Sequence, residues 1–475
     1  MSQQLGGRHA LPFPSRRAHC KRRRTGSPPR AGHGSAPRRR SSRRGRDLCY
    51  ERRVTKTRRR RFRTLIALAA IAVTCASGGA ARAQDDVAEP VGQVVQLPAK
   101  PGPHWFWLSD VLLHRSALYD ADTGQMLGTI TAGSPGVGFT IWPLFPPDHA
   151  HVYIPESYFS RGVRGERTDV VTIYDARTLL PQDEIVIPPK RAEYFPGVQP
   201  NAISDDGRFV AVFNATPAQS LSIVDMQEKK LAGELQAPGC SLAYAAGPRR
   251  FFMLCADGAA LVVTLDDQGA QQSAERTPKF FDAEQDPVFE SAGRRGSEWL
   301  FVSFEGKLHT VDFGAEPAKI GDSWSLLSDE DRKAGWRVGG GQPVALHAAS
   351  SRLYLLVHEG GPDTHKQAGS EIWAYDLAQR KRLWRIGVSN PMAGFLRGQM
   401  RLGREGARDR ALSWLLDTAL PNTGAESIVV TQDANPVLVV MSLIPPAVTI
   451  HDATTGEVLR EVAEPGLSGS VLVAP

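Results

Sequence analysis

Two cysteines and three histidines are the residues whose types and spacing first raise the question of chemistry in this 475-residue chain. Cys240 and Cys255 lie in neighbouring segments that read as strands. In an oxidising compartment such a pair is a disulfide candidate, closing a short loop worth about 3 kcal/mol by chain entropy; otherwise it is two buried thiols. His347, His358 and His365 are close in sequence, and metal binding is the chemistry such a cluster could carry. They fall on adjacent strand and loop positions of one repeat, so surface or packing roles are the plainer reading. Hydrolytic and phosphate-binding spacings are missing: there is no G-x-S-x-G, no H-E-x-x-H, no phosphate loop and no C-x-x-C. The nine Trp fall mostly in strand-like runs, as packing residues do. The residues therefore give this chain no catalytic residue, no bound cofactor and no metal site.

The compartment is argued from the N-terminal end. Arg58 to Arg61 and Arg63 form a charged n-region, Leu65 to Val73 an apolar core, and Ala81-Arg82-Ala83 a cleavage site before Gln84. Residues 58–83 thus read as a secretory signal peptide, with Arg59 to Phe62 loosely resembling a twin-arginine signal. The apolar core is too short to span a bilayer, so an exported chain without a membrane anchor is expected. Thr74 is a poor residue to precede a lipid-modified Cys75. Residues 1–57, rich in Arg, Ser, Pro and Gly, read as a basic disordered tail or a start codon assigned too far upstream. The net charge of +7 hides this division. Residues 1–83 hold 23 Lys/Arg and 2 Asp/Glu, leaving 34 Lys/Arg and 48 Asp/Glu, a net −14, for residues 84–475. A nucleic-acid function, which needs a basic groove, is excluded for the folded part.

The elements that must carry these residues repeat. Seven times a short apolar strand reaches an acidic residue and turns: at Asp120, Asp175, Asp225, Asp266, Asp312, Asp376 and Asp452. Each copy is preceded by a second dense apolar strand, from "HWFWLSD" at His104 through "RFVAVFN" at Arg208 to "PVLVVMS" at Pro436. Gly124, Gly207 and Gly456 stand where the turns need a positive φ. A unit of about four antiparallel strands, repeated every 41 to 76 residues, cannot bury both faces alone. Radial packing of seven units solves this, so the fold predicted for 84–475 is all-β, a seven-bladed β-propeller. Two stacked β-sandwiches would need a break in the series, and there is none. Two departures stand out. "SLLSDEDRKAGW" from Ser325 reads as a short helix capped by Ser328. Residues 391–426 read as an insertion whose latter half could form an amphipathic helix with Leu412, Leu415, Leu416 and Ala419 on one face.

Several long runs are more specific than the repeat: "SRGVRGERTDVVTIYDARTLLPQDEIVIP" from Ser160, "PGCSLAYAAGPRRFFMLCADGAA" around the two cysteines, "LLSDEDRKAGWRVGGGQPVALH" from Leu326, and "RLYLLVHEGGPDTHKQAGSEIWAYD" from Arg352. From about residue 104 to the C-terminus the chain resembles the heavy (large, beta) subunit of the quinoprotein amine dehydrogenases, the methylamine dehydrogenase heavy chain family. The resemblance implies a periplasmic seven-bladed propeller in a heterotetramer of two heavy and two light chains. It implies oxidative deamination of primary amines, methylamine or aromatic amines, to aldehyde and ammonia. The cofactor, tryptophan tryptophylquinone, would belong to the separate light subunit, and a blue copper protein, amicyanin- or azurin-like, would accept the electrons. The heavy chain would support the light subunit and shape the substrate channel.

Carried onto this sequence, the resemblance favours the Cys240–Cys255 disulfide. The first-blade loop, where the methylamine enzymes place a channel-lining aromatic residue, holds no Phe in the nine residues between Asp110 and Asp120; Leu112 and Leu113 are the apolar candidates there. The charged loop before Asp175 offers Arg161, Arg164, Arg167 and Asp169 as a light-chain interface. A competing reading is an orphan propeller that serves as a periplasmic binding or scaffold module. A lactone-hydrolysing propeller would need carboxylates converging on a central metal, and no acidic cluster suggests them.

Overall fold

The inter-blade packing explains why each repeat contains a strand that is apolar at every position. In the computed structural model, Val210 and Val212 pack with Tyr153 and Val171 of the preceding unit, whereas Phe209, Ala211 and Phe213 pack with Phe251 and Met253 of the following one. Both faces of such a strand are buried, so the polar alternation of a half-exposed strand is absent. The structure describes residues 96–475 except 135–141, 193–198, 403–405, 463–464 and 468. The tail, the signal peptide and Arg404 lie outside the described residues.

Seven antiparallel sheets form the blades of a propeller. Blade 3 is typical, with Asn201–Ile203 innermost, then Phe209–Asn214, Ser220–Asp225 and Lys230–Gln236 at the outer edge. Seven apolar clusters occupy the seven junctions between successive blades. The ring closes at blade 1, where Trp105–Asp110, Arg115–Asp120 and Met126–Thr131 are completed by the C-terminal strand Gly469–Val473 in the innermost position. Gln342, buried between blades 6 and 7, holds that strand from inside: its Nε2 donates to Leu472 O at 2.9 Å and its Oε1 accepts from Leu472 N–H at 3.1 Å. Blade 2 has three long strands, His151–Phe159, Arg167–Asp175 and Pro181–Ile187, with Leu144 bridging to Tyr153 where a fourth would lie.

The repeated Asp has a structural task. In all seven blades its carboxylate accepts one or more backbone N–H groups of the turn that follows, as Asp175 does from Arg177 and Thr178 at 3.0 and 2.7 Å. These bonds, the Thr178 N–H foremost, hold Asp175 below the usual carboxylate range. Gly124 and Gly456 adopt φ of +73° and +80° in two of these turns.

Among the described residues three helices interrupt the blades. α1, Asp329–Lys333, starts from Ser328 as the sequence predicts, and Asp331 closes a capping box with it. The 391–426 insertion contains two helices rather than one, α2 (Pro391–Gln399) and α3 (Ala407–Ala419). The expected single apolar face of α3 is corrected: no residue of α3 is buried, Leu412 and Leu416 are half-covered, and Leu415 and Ala419 face solvent. The insertion is instead tied at its ends. Asn390 caps α2 through the N–H groups of Met392 and Ala393 and donates to Leu420 O, while Asn422 donates to Val388 O.

Candidate partner-docking face

Strand direction alternates within a blade, so the loops between second and third strands and the connections from one blade to the next lie on one face. That face carries Leu112 and Leu113 at the tip of blade 1, Arg161 to Glu166 at the tip of blade 2, and the α2–α3 insertion between blades 6 and 7. The sequence-predicted residues are thus brought to neighbouring loops, though 47 residues separate Leu112 from Phe159, where the second strand of blade 2 ends.

The tip of blade 1 is built by Asp110. Its Oδ1 accepts the N–H groups of Leu112 and Leu113, both at 3.0 Å, and its Oδ2 accepts Leu467 N–H at 2.6 Å. This leaves Leu112 68% exposed and Leu113 38% exposed, two apolar side chains held out on a short turn. In blade 2 the strands continue beyond their neighbours, pairing out to Phe159 and Arg167. The tip is closed by Arg161 N–H donating to Arg164 O at 2.9 Å, and the side chains of Arg161, Val163 and Arg164 are exposed.

Arg167 and Asp169 behave differently from the interface residues the sequence suggests. Asp169 is fully buried: Arg167 grips it with Nε and Nη2, both at 2.7 Å, and Arg191 N–H donates to it at 3.0 Å. A bidentate pair of this kind locks the base of the hairpin. Asp169 is therefore corrected from a partner contact to an internal strut, because the pleat turns its side chain inward while the tip residues project. One step below it lies a second buried carboxyl, which sequence reading missed. Glu156 accepts hydrogen bonds from the hydroxyls of Tyr158, Thr172 and Tyr174 at 2.5, 2.7 and 2.7 Å. Burial pushes its pKa up, against the three hydroxyls and the charge of Arg191. Alternating strand positions gave the only clue, since Glu156 interrupts an otherwise apolar face.

Elsewhere the candidate residues resolve into packing. Cys240 and Cys255 are opposed in register in the inner hairpin of blade 4 and joined by a disulfide. His347 bonds Ser350 Oγ and Asp433 O, His358 bonds Thr364 Oγ, and His365 stacks on Phe304 with ring centroids 3.8 Å apart. Burial lowers the pKa of both His358 and His365. Among the described residues no three His, Cys, Asp or Glu side chains are grouped to hold a metal ion. Trp107, Trp299, Trp336 and Trp373 are buried in the junctions between blades.

Residues 113–399, from the tip of blade 1 to the end of α2, match the family model for methylamine dehydrogenase heavy chain (MADH). The chain belongs to the methylamine dehydrogenase heavy chain family. Relatives bearing that name extend the similarity further. The heavy chain of Paracoccus versutus is 27% identical over 394 residues, covering 81% of this chain and 82% of its own length. That of Methylorubrum extorquens is 24% identical over 359 residues, covering 75% and 78% respectively. At family level the chain is an amine dehydrogenase heavy subunit, and the seven-bladed propeller is the scaffold it supplies. Among its described residues no helix is long and apolar enough to cross a membrane.

Proposed function

We propose that this chain is the heavy subunit of a periplasmic amine dehydrogenase that converts primary amines to aldehyde and ammonia. It acts with a light subunit in a heterotetramer of two heavy and two light chains, and electrons leave to a small copper protein. Membership of the heavy chain family carries the reading. A quinone held by the light subunit would supply the two-electron redox chemistry. This chain's own residues position and shield. Leu112 and Leu113, held out by Asp110, present an apolar wall that would exclude water from a channel formed against the light subunit. Arg161 and Arg164 present positive charge on the longest hairpin, suited to steer and align an acidic partner surface. Arg167, Asp169 and Glu156 keep that hairpin rigid, so the tip meets its partner without first being ordered.

The test is reconstitution with the light subunit encoded in the same host. Arg161→Glu with Arg164→Glu should weaken light-chain association by roughly fivefold to tenfold at low salt and leave the propeller folded. Co-purification of a small subunit with amine-dependent dye reduction is the expected result for the wild-type protein. A lone heavy chain from the native host, with no dye reduction on any primary amine, refutes the proposal and leaves a binding or scaffold propeller in its place.

A further inference from the structure

A second surface on the same face begins at the tip of blade 1, with Leu113 in its wall, and extends away from the charged hairpin of blade 2. A cleft of about 1340 Å³ opens between α2, α3 and the edges of blades 7 and 1. That exceeds the roughly 300–1,000 Å³ a small ligand fills and suits a stretch of polypeptide. Five arginines line it, Arg115, Arg397, Arg401, Arg410 and Arg460, against two carboxylates, Asp417 and Glu461. Arg397 occupies both carboxylates, reaching Asp417 at 2.8 Å and Glu461 at 2.6 Å. Arg115, Arg401 and Arg460 have no carboxylate within ion-pair distance among the described residues, and Arg115 Nε is buried without a hydrogen-bond partner. Asp110, opposite Arg115 across the hairpin, is engaged on both oxygens by backbone N–H groups.

The apolar half of the cleft is equally unspent. Trp414 is 67% exposed and Phe395 42% exposed, on helices that otherwise carry Arg and no Lys. Exposed Trp, Phe and Arg with Lys absent is the composition of interface centres, not of solvated helices. The surrounding body carries a net −14 over residues 84–475, so a second copy of this chain would be repelled from its partner's surface, whereas a short acidic segment finds a charge complement in the arginines of this cleft. We propose that this cleft docks an acidic, apolar-studded segment of a protein partner, with its carboxylates on Arg115, Arg401 and Arg460 and its apolar side chains against Phe395 and Trp414.

The proposal is tested on the whole exported chain, without a light subunit, so its outcome is independent of the amine dehydrogenase reading. The probe is a fluorescein-labelled peptide of alternating Glu and Leu pairs, compared by anisotropy with the same peptide carrying Gln for Glu. The Glu peptide should bind at least about tenfold more tightly at low salt and lose that advantage as salt rises. Arg401→Glu with Arg460→Glu, and separately Trp414→Ala, should each weaken binding on the order of tenfold, with unchanged thermal unfolding. All three side chains are exposed, so folding is not at stake. Equal affinity for the two peptides, or variants that bind as the wild type does, overturns the proposal. Displacement of the Glu peptide by millimolar inorganic phosphate also overturns it, since the cleft would then be a site for small anions.

Discussion

Replacing Arg397 by alanine should free the α2–α3 insertion while the propeller stays folded. The Arg397 side chain is 13% exposed and joins three elements: it sits on α2, reaches Asp417 of α3 through Nη1 at 2.8 Å, and grips Glu461 of blade 7 through Nη2 and Nε at 2.6 and 3.2 Å. α3 buries no residue of its own, so little apolar area opposes its release. Charge-assisted bonds of this kind are worth about 1.5–3 kcal/mol when withdrawn from water. Glu461 is 30% and Asp417 46% exposed, so screening reduces the net contribution to about 1–2 kcal/mol. Local opening should then become roughly 5–30-fold more frequent. Hydrogen exchange read by mass spectrometry should show that increase across α2 and α3, with protection of the blade 7 core unchanged and the midpoint of thermal unfolding held within about 2 °C. Arg397→Lys, which keeps the charge but not the two-pronged grip, should fall between. Unchanged exchange in α3, or loss of protection throughout blade 7, would refute the idea that this one side chain pins the insertion.

Two further outcomes follow from buried polar groups. Glu156 has its pKa raised by burial, so the folded state holds its proton to higher pH than the unfolded chain does. Stability should therefore fall as pH rises above the ordinary carboxylate range near 4.5, by up to about 1.4 kcal/mol per pH unit, and level off above the folded pKa. Glu156→Gln should flatten that slope in urea titrations; an identical slope in the variant would assign it to other groups. Gln342→Ala leaves the N–H and C=O of Leu472 without partners inside the ring. Unfolding free energy should drop by about 2–4 kcal/mol in denaturant titrations, and a change below about 0.5 kcal/mol would mean that water replaces the clamp without loss.

Much of the architecture was legible because it is written in short-range terms. Each blade announces itself by an apolar strand and an Asp that caps the next turn, with Gly at the positive-φ position in blades 1 and 7, all within about 20 residues. Ser328 announced α1 for the same reason, and the structure adds Asp331 as its capping partner. The docking face was legible only in part. Arg161 and Arg164 are exposed at a hairpin tip, as their place in a charged run suggests, but Asp169 in the same run is fully buried. Composition could not separate them, because Arg161 and Arg164 sit in the turn beyond the strand ends, whereas Asp169 lies on the strand with its side chain held against Arg167 and Arg191.

The sequence by itself determined the repeated antiparallel unit, its number, the turns that punctuate it and the family likeness, since each rests on neighbours along the chain. Tertiary structure alone decided which strand closes the ring, where Glu156 hides, what pins the insertion and which arginines are left facing a cleft. Those depend on contacts such as Leu108 with Leu472 and Arg397 with Glu461, between residues far apart in the chain, which no local pattern encodes.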